Sequence, residues 1–98
     1  MWKLIDVSKS DRDHKKWVAY FEDEELGKHK TVHFGDDRYE DYTQHHDKAR
    51  RTNYLSRHDK DLKTGDPKTP GYLSFYLLWG DSTSFQKNLR AYKNMFDL

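Results

Sequence analysis

The chain is predicted to be an α+β domain: a three-stranded antiparallel β-meander followed by three α-helices packed on one face. Three observations predict it. Three short runs in the first 35 residues are dominated by β-branched and aromatic residues. The polar segments between those runs are too short for parallel crossovers. Near the C-terminus, apolar residues recur at helical spacing instead. The whole of 1–98 reads as one domain, with the meander in 1–35 and the helical part in 43–98. Only 34% of residues are hydrophobic and 36% are charged, a balance that leans towards disorder. Two facts oppose that: the net charge is only +1, and the aromatic content is 15%, which supplies a large apolar area.

Trp2 to Val7 reads as the first strand, although its alternation is imperfect. Ser8 to His14 is a polar connector. Lys15 to Glu22 is the second strand, with Trp17, Ala19 and Phe21 on one face and Val18 and Tyr20 on the other. Asp23 to Lys28 is an acidic hairpin tip that contains Gly27. His29 to Phe34 is the third strand, closed by Gly35, and Gly35 to Tyr42 is a polar loop.

From about Thr43 to Arg57 there is no Gly or Pro, and good helix formers dominate. Asp41 or Thr43 is its expected N-cap. The apolar stripe is thin, Tyr42, Ala49 and Leu55, so most of this helix faces solvent or a partner. Asp59 to Lys68 is expected to be irregular. Thr69-Pro70-Gly71 starts the next helix, with Thr as N-cap and Pro at the first helical position. That helix, Pro70 to Trp79, is apolar nearly all round and is expected to be central, ending at Gly80. Asp81 to Ser84 caps the last helix, whose Phe85, Leu89, Tyr92 and Phe96 form one stripe. Trp17 and Trp79 are expected in the core, and Trp2 is expected to be the most exposed of the three tryptophans.

The absence of cysteine excludes disulfides and thiolate chemistry. The N-terminus carries no long apolar segment of a signal peptide, and no run approaches the roughly 20 residues of a membrane span. A soluble intracellular protein with no membrane association is expected.

The functional interest lies between Asp41 and His58. From Thr43 to His58 the cations are Lys48, Arg50, Arg51 and Arg57, against a single acid, Asp47. On a helix, Arg50, Tyr54, Arg57 and His58 fall on one side through i+4 and i+3 steps. Guanidinium groups fork onto phosphates, and tyrosine stacks on bases or bonds phosphates. The bland alternative is a solvated face laced with pairs such as Asp47–Arg51, or arginines tied to the acidic loop Asp36 to Asp41. His45, His46 and His58 with Asp41 and Asp47 raise a metal site, but His45 and His46 diverge and Arg50 opposes a cation beside His46. No metal, no cofactor and no catalytic residue is assigned. Acid–base chemistry by His46 or His58, with Mg²⁺ on Asp36, Asp37, Glu40 and Asp41, lacks any recognised catalytic motif.

Several pieces of the chain resemble a family of small uncharacterised proteins encoded mainly by large DNA viruses of algae and amoebae. They are Lys30 to Gly35, Asp41-Tyr42-Thr43 with His45 or His46 and Asp47, Arg50-Arg51, Tyr54 and Arg57-His58. Thr69-Pro70-Gly71, Leu73-Ser74, Leu77 to Gly80, Ser84, Asn88, Tyr92 and Phe96 complete the pattern. The resemblance implies a viral origin and no activity. The expected function is a small viral binding or structural protein. It would contact phosphate groups, foremost those of nucleic acid, through Lys48, Arg50, Arg51, Tyr54, Arg57 and His58. The alternatives are a virion or protein-interaction module, with a viral or host protein as partner, and a phosphate-processing enzyme such as a nuclease. The expected setting is the infected host cell, cytoplasm or nucleus, with packaging in the virion as a second destination.

Overall fold

The computed structural model describes every residue from 1 to 98. Strands β1 (Trp2–Lys9), β2 (Lys15–Asp23) and β3 (Lys28–Asp36) form one sheet in the order β1-β2-β3, with both pairs antiparallel. The imperfect alternation of β1 has a structural cause. The register slips between Leu4 and Asp6, leaving Ile5 as an exposed extra residue. A bulge of this kind reverses the facing of everything beyond it. Leu4 therefore pairs with Phe21 and Val7 with Ala19, both on the core face. Val32 and Phe34 complete that face, beside Ala19 and Trp17.

Helices α1 (Tyr42–His45), α2 (Lys48–His58), α3 (Pro70–Leu73) and α4 (Phe85–Met95) follow the sheet. The expected continuous helix from Thr43 to Arg57 is thus two helices. His46 takes a left-handed conformation (φ 58°) and ends α1, and Asp47 leaves the helical region to cap α2. Asp47 Oδ1 accepts the backbone N–H of Ala49 at 3.0 Å and of Arg50 at 3.2 Å. Asp competes with a continuing helix by offering its carboxylate to free N–H groups, and that local bond wins here. Of the two expected caps for the first helix, Asp41 is the one used. It accepts from Thr43 N–H, while the Gln44 side chain closes a reciprocal box.

Asp59–Thr64, expected to be irregular, forms a 3-10 helix that ends at Gly65 in the left-handed region. Thr69 caps α3 as expected, its hydroxyl accepting Tyr72 N–H at 3.4 Å. Beyond Leu73 the chain continues as a π-helical turn, Ser74–Leu78, closed by the Trp79 N–H on Ser74 O at 3.2 Å. In so wide a turn, residues four and five apart flank the same direction. Leu73, Leu77 and Leu78 all reach the core, each at most 2% exposed, while Phe75 and Tyr76 stay half-buried. Each such leucine contributes about 2 kcal/mol of burial.

Tyr92 of α4 is fully buried, and its partners Phe85, Leu89 and Phe96 pack against the same cluster. Trp79 is buried, whereas Trp17 is half-buried and stacks on Phe85 at 4.5 Å. Trp2, expected to be exposed, is half-buried with the Lys68 ammonium over its ring. No helix is long and apolar enough to cross a membrane.

Two joints set the sheet against the helices. Lys16 Nζ on β2 donates to Asp41 Oδ2 and Gln44 Oε1, both at 2.6 Å, fixing α1 to the sheet. Gly35 at the end of β3 has φ +81°, and a Cβ there would meet Leu78 Cδ1 at 2.8 Å. Only glycine lets β3 and the π turn approach so closely.

Candidate functional site

An open cleft of about 960 Å³ lies between the sheet end, the loop that follows β3, the α2 face and the start of α3. Lys15, Lys16 and Gly35 line it from the sheet, and Tyr39, Glu40 and Asp41 from the loop. Arg50, Asn53, Tyr54, Arg57 and His58 line it from α2, with Lys60 and Asp61 next to them. Leu78 and Trp79 form the apolar back, with Ser74 beside them. The α2 contribution is the one that helical spacing predicts, because residues 50, 54, 57 and 58 share one side.

The charges around this cleft are not balanced by pairing. Asp36 is bound by Arg38 at 2.8 Å, Asp41 by Lys16 at 2.6 Å and Asp61 by His58 at 2.9 Å. Arg38 hydrogen bonds hold the Asp36 carboxyl far below the usual carboxylate range. Of the lining acids, Glu40 has no partner and Asp61 has only the His58 imidazole, so neither meets a Lys or Arg. Lys15, Arg50, Arg57 and Lys60 all lack an acidic one. The unpaired charge facing the cleft is therefore mostly positive.

The aromatic groups form a column. Trp79 and Tyr54 stack at 4.1 Å with an interplanar angle of 4°, and Tyr54 and His58 at 4.2 Å and 20°. Tyr54 is held between two rings, so neither of its faces is open to a base. Burial, with added repulsion from the Asp61 and Asp41 carboxylates, pushes the Tyr54 phenol up to about 12. Its hydroxyl therefore stays protonated at pH values where a free tyrosine ionises.

Of the six residues expected in the site, Arg50, Tyr54, Arg57 and His58 come together at the cleft, and Lys48 and Arg51 are not among its lining. Arg51 is turned inward. Its Nε donates to Trp79 O at 3.1 Å and Gly80 O at 2.9 Å, and its Nη2 to Asp81 Oδ1 at 3.0 Å. The anticipated Asp47–Arg51 pair does not form, because Asp47 caps α2.

The histidines of α1 have local partners. His45 Nδ1 accepts the Asp47 N–H at 2.9 Å, which leaves the hydrogen of the neutral ring on Nε2. That atom is buried without a polar partner, in a ring tilted towards Trp79 at 5.2 Å. His46 Nε2 lies 3.2 Å from Thr43 O. No three His, Asp or Glu side chains converge as a metal would require. Lys15, Lys60 and Asn53 also line the cleft, and the sequence does not single them out. Lys15 comes from a strand remote from α2 and Lys60 from the 3-10 segment that directly follows it, and nothing in their local pattern marks them.

Fold and cleft together define a small α+β domain with a basic, aromatic-backed groove beside its sheet. Residues 5–58 match the model of DUF5754, a family of unknown function, and the chain belongs to that family. The match covers the sheet, α1 and α2, and stops before Lys60 and α3. It overlaps the first half of the resemblance noted above. No curated protein and no solved structure matches the chain.

Proposed function

We propose that the cleft binds phosphate groups, foremost those of a nucleic acid, through Arg50 and Arg57 with support from Lys15 and Lys60. One observation carries this reading: four cations without acidic partners face a single cleft in which only Glu40 and Asp61 are acids without a Lys or Arg partner. In a chain of net charge +1, folding adds Lys15 and Lys60 to the Arg50 and Arg57 of the basic stretch and so concentrates the surplus at the cleft. A guanidinium free of internal partners keeps its fork for a phosphate, whereas one already bonded does not. Arg51 is left out of the ligand set for that reason, and Lys48 because it lies off the lining. A viral origin belongs to the same reading and rests on the family resemblance over residues 30–96.

The test is a salt titration of binding to short DNA and RNA. Phosphate contacts release counterions, so log affinity falls linearly with log salt, with a slope of about −3 for four cations. A flat response, or no binding at low salt, removes the proposal.

A further inference from the structure

We propose that the cleft takes an unpaired base of a single-stranded nucleic acid, stacked on His58, with its phosphates on Arg50 and Arg57. This rests on the phosphate reading and narrows it to single strands. The ring column carries the argument. Trp79 and His58 cover the two faces of Tyr54, so His58 is the outermost ring. Its side chain is 39% exposed and lines the cleft, and no ring lies against its other face.

That free face is held in place. Tyr54 fixes the plane of the imidazole, and Asp61 Oδ2, 2.9 Å from Nδ1, fixes its rotation. An arriving base extends an existing stack and orders no new side chain, which keeps the entropic cost of binding low. Every base has a π-face, so a platform of this kind tolerates sequence but requires the base to be unstacked from its neighbours. A duplex presents phosphates without free base faces. Asn53 stands one helical turn before Arg57 in the same lining and makes no protein hydrogen bond with its amide. It is placed to meet the polar edge of a base, to which an amide offers both donor and acceptor.

The experiment compares the full chain's binding to single-stranded oligodeoxyadenylate, to the same strand annealed to its complement, and to inorganic polyphosphate. It does so for the parent protein, His58→Ala and His58→Phe. The expected result is tighter binding to the single strand than to the duplex. His58→Ala binds the single strand about tenfold more weakly than His58→Phe, the usual contribution of one stacked base. The two variants bind polyphosphate alike, because both release Asp61 and differ only in the ring. Upfield shifts of the His58 ring protons on adding the oligonucleotide report the stack directly. Equal binding of duplex and single strand overturns the inference, as does His58→Phe falling as far as His58→Ala. If polyphosphate still binds, the phosphate reading survives that result. If no probe binds, both fall together.

Discussion

Arg50 and Arg51 are neighbours in the chain and opposites in the fold. Arg50 lies on the cleft side of α2, exposed and without an acidic partner. Arg51, one residue on, is rotated by about 100° around the helix. That rotation delivers its guanidinium to the carbonyls of Trp79 and Gly80, to Asp81, and over the Tyr42 ring at 5.5 Å. One side of the helix thus ties α2 to the turn between α3 and α4, and the other presents cations to a groove. The same residue type does structural work on one side and is left free on the other. What separates them is which backbone acceptors lie within reach, not their intrinsic chemistry.

That turn is itself well held. Asn88, buried on α4, donates to Leu77 O at 3.1 Å and Ser82 O at 2.8 Å and accepts from Ser82 N–H at 3.1 Å. A Cβ on Gly80 would collide with Tyr76 O and the Asn88 side chain. Arg51 therefore docks onto a rigid acceptor pair. Removing its guanidinium leaves two largely buried carbonyls without that donor. Arg51→Ala is expected to lower stability by about 2 kcal/mol, read as a shift of the urea midpoint at constant slope. Its affinity for oligonucleotide should stay close to the parent's once folding is corrected for. A stability change within noise would show that the inner side of α2 is no anchor.

Next in size is a pH effect centred on the column between the two sides. Burial raises the Tyr54 phenol to about 12 and raises Tyr92 as well. The folded state keeps these protons after the unfolded chain has begun to release them near pH 10. Their contribution is complete below about pH 10 and is lost as pH rises towards 12. Denaturant unfolding at stepped alkaline pH should show this decline, and Tyr54→Phe should make it shallower. A decline of the same steepness in that variant would place the effect elsewhere.

The smallest effect is expected on the outer side. Arg57→Gln touches no internal partner, so its stability should stay within about 0.5 kcal/mol of the parent. Its oligonucleotide affinity should fall and its salt slope should flatten by about one unit. A destabilised Arg57→Gln protein that binds normally would erase the contrast between the two sides.

The strands were legible in the sequence because side-chain alternation is a local property, and only the β1 bulge disturbed it. The start of α3 and the stripe of α4 were legible for the same reason: Thr69, Pro70 and Phe85 act on their own few neighbours. The break at His46 was hidden. Helix propensity summed over residues 43–57 favours one helix, and the outcome turned on Asp47 taking two N–H groups as a cap. The 3-10 segment after His58 is likewise hidden, because its i+3 bonds carry little periodic signal.

By itself the sequence determined the α+β class, the antiparallel order of the strands and the shared side of Arg50, Tyr54, Arg57 and His58. Each of these follows from spacings within a few residues. Only the tertiary structure decided which of those groups stay free. It turned Arg51 onto the α3–α4 turn, closed both faces of Tyr54 between Trp79 and His58, and brought Lys15 and Lys60 to the cleft from separate elements. The reason is physical. A side chain's availability depends on acceptors and rings that arrive from distant parts of the chain, and those distances exist only once the helices have packed against the sheet.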